Sequence, residues 1–219
     1  MGWEIETDRP AFNPELPTLF DFRTPQRGAM RFFYVLPFSE RRALVEYTLF
    51  SNRLLPLAEY EIALREYLSG ALGLERYHIL EEERSLIPMT DQPFPRRTGK
   101  RVLNTGTRGG RVKASSGYAF DRIQRDAVAV TRSLQRHGHP FDLPKAPSRY
   151  RTFDAILLDI LQDRGDLGAP VFAQLFRRNP VQRIFRFLDE EGGWGENLAL
   201  MASVPPLPFL RAWLRVRFP

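Results

Sequence analysis

Glu46 is the residue whose type and setting best suit chemistry, because it stands alone as an acid in an apolar stretch. The segment Ala43–Phe50 is rich in β-branched and aromatic residues, which predicts a strand. Alternation along that strand places Glu46 on the face shared by Leu44 and Thr48. A carboxyl group among apolar neighbours loses solvation, holds its proton to higher pH and can act as a proton donor. A solvated strand face or an arginine partner explains the same glutamate without chemistry, and base rates for buried charge favour that explanation.

A second candidate site is the glycine-rich loop Gly106–Gly110, which follows a predicted strand at Arg101–Thr105 and precedes a predicted helix at Gly117–Arg136. Glycines allow positive φ and close approach of the backbone to a ligand, and a helix N-terminus attracts phosphate. The spacing is not GxGxxG, and neither that motif nor a Walker motif occurs in the chain. Taken alone, the loop is typical of an ordinary turn.

Cysteine, histidine and serine offer little for metal or nucleophilic chemistry. The chain has no Cys, which excludes disulfides and thiolate metal sites. His137 and His139 are close together, but no third ligand stands at a spacing that zinc sites use, and no His-Glu-x-x-His helix occurs. We therefore predict no metal site, and the serines lack the context of a nucleophile elbow.

The net charge of +6 comes almost entirely from arginine. A basic surface suits nucleic acid, anionic lipid or an acidic partner. The arginines are spread along the chain and form no recognised RNA or DNA module, so we predict no nucleic-acid partner. No run of about 18 apolar residues occurs, so no membrane-spanning helix is predicted. The final segment Leu207–Phe218, apolar and dotted with arginines, suits either a membrane surface or docking on the core.

The elements predicted to position these candidate residues are a sheet followed by helices. Strands are predicted at Thr18–Arg23, Met30–Leu36, Ala43–Phe50, Tyr77–Leu80, Leu86–Ile87 and Arg101–Thr105, with a hairpin loop at Pro37–Arg42. Helices are predicted at Leu57–Leu72, Gly117–Arg136, Phe153–Leu161, Val181–Leu188 and Leu207–Phe218. This order is typical of an α+β fold, with an antiparallel sheet backed by helices and an all-helical C-terminal tail. We divide the chain into a substrate-binding sheet domain at 1–136 and a helical region at 137–219.

Several segments, taken in order, resemble lycopene cyclases of the bacterial and plant flavoprotein type. They are Asp21–Arg23, Phe33–Ser39, Ala43–Thr48, Leu86–Thr90, Ser116–Gln124, Phe172–Pro180 and Phe187–Glu190. The resemblance implies part of an α/β flavoprotein fold that begins with a strand, GxGxxG and a helix holding the ADP part of FAD. No such start occurs here. We therefore expect a C-terminal fragment, or one piece of a split protein whose N-terminal half is on another chain.

The resemblance assigns roles to individual residues. Leu44–Thr48 matches the family's acid motif, an apolar pair followed by a glutamate, a variable residue and Thr, which implies that Glu46 is catalytic. The implied cofactor contacts are Gly106, Gly109, Gly110, Ser116, Gly117 and Tyr118, and the implied substrate contacts are Phe33, Tyr34, Pro88 and Met89. Ser85 and Arg108 depart from the pattern, since the family usually has glycine at the first position and a small residue at the second.

The reaction implied by the resemblance is a redox-neutral closure of β-ionone rings on the ends of lycopene, or of another linear carotene. An acid starts the carbocation chemistry, reduced FAD is the cofactor and NADPH is its reductant. Because lycopene dissolves in bilayers, the resemblance implies a cytoplasmic protein that associates peripherally with the membrane surface. Another FAD-dependent oxidoreductase of the same fold, such as a monooxygenase or a prenyl reductase, and a non-catalytic fragment both stay open, as does the number of rings formed.

Overall fold

β-branched and aromatic residues are frequent in the N-terminal part of the chain, which forms a five-stranded sheet. A computed structural model describes residues 1–144 and 148–218. The described residues divide into two units. The sheet unit comprises Met1–Leu86 and Leu161–Pro170, and the helical unit comprises Ile87–Ile160 and the residues from Val171 onward. The fold is α+β, as predicted.

The sheet unit holds five strands whose order in space differs from their order in the chain. They are β1 (Gly2–Glu6), β2 (Thr18–Asp21), β3 (Met30–Pro37), β4 (Arg42–Phe50) and β5 (His78–Glu83). The spatial order is β2-β3-β4-β1-β5, and every pairing is antiparallel. The first strand of the chain therefore lies between β4 and β5.

One face of this sheet packs against a helix and forms the core of the unit. The helix α1 (Leu57–Glu66) continues into a π-helical turn at Tyr67–Ala71. The buried cluster between them contains Trp3, Ile5, Phe33, Val35, Ala43, Val45, Tyr47, Leu64, Tyr67 and Leu68. Because strand side chains alternate, burial of the odd-numbered residues of β4 leaves the even-numbered ones, Glu46 among them, on the opposite face.

The helical unit begins with irregular chain and ends in helices. A two-stranded ladder, β6 (Arg97–Gly99) and β7 (Val102–Leu103), precedes α2 (Phe120–His137). The later helices are α3 (Ser148–Asp163), α4 (Gly168–Arg178), α5 (Val181–Leu188), α6 (Trp194–Ala202) and α7 (Pro206–Arg217), of which α3 and α4 contribute residues to both units. In the helical unit, Ile184, Leu188 and Leu200 form a buried cluster that joins α5 to α6.

The predicted hairpin of β3 and β4 and the all-helical C-terminal part are confirmed. The strand predicted at Leu86–Ile87 is wrong, since that segment is irregular and Leu86 is 73% exposed. The strand predicted at Arg101–Thr105 shrinks to two residues, and the helix predicted from Gly117 begins at Phe120. Phe120, the first residue of α2, is 79% exposed. The division into a substrate-binding sheet domain at 1–136 and a helical region at 137–219 stays a prediction, because it assigns substrate binding to the first part.

No helix in the part of the chain that the structure describes is both long and apolar enough to cross a bilayer. Residues Lys145–Pro147 and Pro219 of the predicted helical region lie outside the described residues.

Candidate functional site

Glu46 lies at the middle of β4 on the face of the sheet that is turned away from α1. It is half-buried, and the Thr48 hydroxyl donates a hydrogen bond of 2.8 Å to Glu46 Oε1. Residues two apart on a strand share a face, so the spacing glutamate, any residue, Thr brings the hydroxyl to the carboxyl group. Thr48 therefore fixes the orientation of the acid that the sequence singled out.

A second carboxyl group, that of Glu83 on β5, lies close to Glu46. Glu46 and Glu83 are both register partners of Gly2, from its two neighbouring strands. The space where a Cβ on Gly2 would sit is 3.0 Å from Glu83 Cγ and Oε1, so the glutamate side chain lies over the glycine. Although Glu83 is exposed as a residue, partial burial of its carboxyl group, followed by the negative charge of Glu46, raises its pKa. Sequence reasoning missed Glu83, because the strand that joins it to Glu46 was not predicted.

Tyr34 stands directly opposite Glu46 in the register of β3 and β4, so the two side chains share a face. Aromatic rings continue from it: the Phe32 centroid is 5.1 Å from that of Tyr34, 5.4 Å from Phe50 and 5.0 Å from Phe20. The negative faces of such rings attract cations. The structure thus places one of the predicted substrate residues beside the predicted acid.

Phe33 points away from that face. It is 0% exposed, and its ring stacks on Tyr67 at 3.8 Å and on Tyr47 at 4.8 Å between centroids. The alternation of strand side chains separates Phe33 from Tyr34. A role for Phe33 in substrate binding stays a prediction, but its contacts are those of a core residue.

The glycine loop in the helical unit is a tight turn. Gly106–Gly109 forms a short 3₁₀ helix, and Gly110 follows with φ of +68°. A Cβ on Gly109 would lie 2.4 Å from both Asn104 O and Arg96 Nη1, and these two atoms already form a hydrogen bond of 2.7 Å. Glycine at 109 is therefore required by packing within the chain, because Arg96 and Asn104 occupy the space beside it.

Gly109 and Gly110 line a cavity of about 950 Å³ within the helical unit. Its other walls carry five arginines (Arg96, Arg97, Arg111, Arg122 and Arg151), four carboxylates (Asp91, Asp126, Asp154 and Glu190) and the rings of Phe94 and Phe141. Burial, and then the neighbouring charge of Arg96, lowers the pKa of Arg111, although Asp126 lies 3.7 Å away. Arginine and aromatic side chains in one cavity fit a ligand that has an anionic part and a flat ring.

The remaining predicted cofactor residues form a separate turn. Lys113 N–H donates to Tyr118 O at 2.7 Å, and Gly117 N–H donates to Lys113 O at 2.9 Å. Gly117 has φ of +75°, and a Cβ there would meet Ile87 at 3.4 Å. The segment Ile87–Met89, which contains the predicted substrate residues Pro88 and Met89, therefore begins against this turn. Pro88 is exposed and Met89 is half-buried.

Beneath this turn lies a buried cation that the sequence did not reveal. The Lys113 side chain is 0% exposed, and its Nζ lies 2.8 Å from Asp154 Oδ1 and 3.4 Å from Glu190 Oε1. Asp154 also accepts a hydrogen bond of 2.5 Å from Ser115 Oγ, and Arg122 donates one of 2.5 Å to Glu190. This network holds Ser116, Gly117 and Tyr118 in place. Its members are far apart in the chain, so no local pattern indicates them.

Metal-ligand chemistry has no candidate site among residues 1–144 and 148–218, where no group of three or more His, Cys, Asp or Glu is arranged to hold an ion. His137 and His139 stack with their centroids 5.7 Å apart, and His137 Nε2 lies 3.1 Å from Asp142 Oδ2.

The protein has an α+β fold whose sheet unit carries a pair of neighbouring carboxyl groups beside Tyr34, and whose helical unit carries an arginine-lined cavity. A family model described as lycopene cyclase protein matches residues 1–214. The chain therefore belongs to the lycopene cyclase family. It is similar to a lycopene beta-cyclase of Paracoccus sp. (strain N81106 / MBIC 01143), with 46% identity over 52 residues. That match spans 24% of this chain and 13% of the relative. No solved structure matches the chain.

Proposed function

We propose that this chain supplies the acid for redox-neutral cyclisation of the ends of a linear carotene, forming β-ionone rings on lycopene. The observation that carries the proposal is Glu46 itself, half-buried on the sheet face, fixed by Thr48 and directly opposite Tyr34. Membership of the lycopene cyclase family supports a carotene as the substrate.

In the proposed mechanism, Glu46 donates a proton to the terminal double bond of the carotene. The carbocation that forms is attacked by the neighbouring double bond, which closes the ring, and loss of a proton from the ring leaves a neutral product. A cation away from water requires negative charge or π faces that are in place beforehand. The ring of Tyr34 supplies such a face next to the acid, and Phe32, which is fully buried, packs against that ring.

We further propose reduced FAD as the cofactor, with NADPH as its reductant. The cavity that Gly109 and Gly110 line supports part of this chemistry, since Phe94 offers a flat ring and Arg111 a cation, whereas Arg97 lies over the ring of Phe141 and four carboxylates line the same cavity. Gly106 and the turn Ser116–Tyr118 remain in the proposed set, whereas Gly109 has no room for closer approach of a ligand. The reduced flavin supplies negative charge that stabilises positive charge in the substrate.

A wholly apolar substrate requires access from a membrane surface, and we propose a cytoplasmic protein that associates with membranes peripherally. The helix α7 supports this, because exposed apolar residues and arginines alternate along it: Leu207, Leu210, Arg211, Trp213, Leu214, Arg215 and Arg217. Such a helix buries apolar side chains at the headgroup boundary and pairs its cations with anionic lipid.

The test is carotenoid analysis in cells that accumulate lycopene and express this chain, with and without a separately encoded flavin-binding region. We expect β- or γ-carotene with the wild type and none with Glu46→Gln. Glu82→Gln is the matched control, because Glu82 is exposed and lies on the other face of the sheet.

Two results would overturn the proposal. Lycopene that stays linear in every combination, while the folded protein carries FAD, would exclude cyclisation. A hydrogenated or oxygenated carotenoid, formed with stoichiometric use of NADPH, would instead identify a reductase or a monooxygenase of the same fold.

A further inference from the structure

Gly2 occupies the one position of β1 that lies between two glutamates. Its register partners are Glu46 on β4 and Glu83 on β5, so the Cα atoms of the glutamates are two strand spacings apart, about 9–10 Å. Glutamate side chains are long enough to span that distance only if nothing stands between them. A Cβ at residue 2 would come within 3.0 Å of Glu83 Cγ, Glu83 Oε1 and Leu44 Cδ1. The absence of a side chain at Gly2 therefore lets the two carboxyl groups meet.

The charges around this pair disfavour ionisation of both glutamates. Glu83 carries a raised pKa, owing first to partial burial, then to the charge of Glu46, and further to Glu81 and a hydrogen bond to Glu46; the Met1 amino group opposes this shift. Around Glu46, Thr48 donates a hydrogen bond and Tyr34 faces it from β3. The nearby Glu4 pairs with Arg42. A hydrogen bond between two carboxyl groups needs one proton, which the two groups share.

We propose that Glu83 is a positioning residue that shares one proton with Glu46 and so keeps a proton available for Glu46 to donate. The inference rests on the proposed role of Glu46 as the proton donor. The proton leaves a Glu46 carboxyl oxygen for a carbon of the terminal double bond of the substrate, and the proton lost from the closed ring returns to the pair. The pair therefore ends each cycle with the one proton with which it began, and no electron is gained or lost.

The first experiment measures the pair without catalysis. Glutamate carboxyl carbons are labelled with ¹³C, and the pKa of Glu83 is followed by NMR. Glu46→Gln removes a like charge and should lower the pKa of Glu83. Glu82→Gln removes the same charge from the opposite face and should leave it unchanged. A Glu83 titration that is the same in the wild type and in Glu46→Gln overturns the inference, whatever the chain catalyses.

The second experiment measures the rate of carotene cyclisation against pH for Glu83→Gln and Gly2→Ala. The first removes the partner carboxyl group, and the second places a Cβ where the Glu83 side chain lies. Both should lower the rate about tenfold or more and shift the alkaline limb of the profile, because the donated proton is then no longer shared between two carboxyl groups. Gly2→Ala keeps the test decisive if Glu83→Gln does not fold.

The outcomes separate the two proposals. Cyclisation that survives Glu46→Gln refutes the proposed function. Cyclisation that is abolished by Glu46→Gln, but keeps its rate and its alkaline limb in Glu83→Gln and Gly2→Ala, refutes only the role of Glu83.

Discussion

In the sheet unit, the side chains with no exposed surface are aromatic and aliphatic, such as Phe33, Ile5 and Leu64, whereas in the helical unit they include Lys113 and Asn197. Apolar packing is non-directional and depends mainly on the area removed from water. A buried ammonium group requires a particular partner at a particular distance, and without that partner the cost is several kcal/mol. The stability of the sheet unit therefore depends on how well its apolar side chains fit together, and the stability of the helical unit depends on complete charge pairing around Lys113.

The largest effect that we expect comes from breaking that pairing. Lys113→Met keeps most of the volume but leaves Asp154 without its cation, so the free energy of unfolding should fall by about 3–5 kcal/mol. Urea denaturation at neutral pH measures the change. Arg215→Ala is the matched control in the same unit, since the side chains of Arg215 and Asp159 are 47% and 24% exposed and losing their ion pair should cost only about 1 kcal/mol. Equal losses of unfolding free energy in the two variants would show that burial does not determine how much an ion pair contributes in this unit.

A smaller effect should follow from changing the shape of the sheet-unit core. Phe33→Leu keeps an apolar side chain but removes the stacking on Tyr67 and Tyr47, which should cost about 1–3 kcal/mol of unfolding free energy. Tyr34→Leu, one residue along and on the other face, should cost less and should instead lower carotene conversion. Thermal unfolding and carotenoid analysis on both variants check this. A large loss of conversion in a stable Phe33→Leu variant would contradict the assignment of Phe33 to the core.

The smallest expected effect concerns a polar contact at the rim of the sheet-unit core, and it depends on pH. Burial opposes ionisation of Asp21, but hydrogen bonds from Arg23 and from Tyr67, whose Oη lies 2.6 Å from Asp21 Oδ2, outweigh it and lower the pKa of Asp21. The resulting stability is present above the ordinary pKa of aspartate and is lost as pH falls through the lowered value. Tyr67→Phe should cost about 1–2 kcal/mol at neutral pH.

The cost of Tyr67→Phe should shrink in acid, because protonated Asp21 gains little from the hydroxyl. Urea unfolding from neutral pH to below the ordinary pKa of aspartate measures this difference between the variant and the wild type. A difference that stays constant with pH would place the effect in packing of the ring and not in the charge of Asp21.

The sequence was sufficient to predict elements whose pattern is local. The hairpin of β3 and β4 was predicted from two runs of β-forming residues joined by a short polar loop, and it is present. The doublet Leu86–Ile87 was mistaken for a strand because it is apolar, but Pro88 follows it and neither residue pairs with another strand in the described chain. Two apolar residues are too few to distinguish a strand from irregular chain.

The candidate site was predictable only where it lies on one element. Glu46 and Thr48 stand two residues apart, so their common face follows from the sequence alone. Glu83 depends on β1, which went unrecognised although Trp3 and Ile5 alternate with Glu4 and Glu6 in it. Lys113 meets Asp154 and Glu190 through the packing of several elements, and a single lysine in a loop carries no signal of that packing.

The position of β1 has a consequence for the order in which the protein is assembled. In the chain, β1 precedes β4 and β5, the strands on either side of it. The β3–β4 hairpin is local and can form early, whereas β1 must stay unpaired until β4 is complete. β5, whose strand partner is β1, can add only after that. The site at which Glu46 and Glu83 meet is therefore completed last, so its formation reports that the whole sheet has folded.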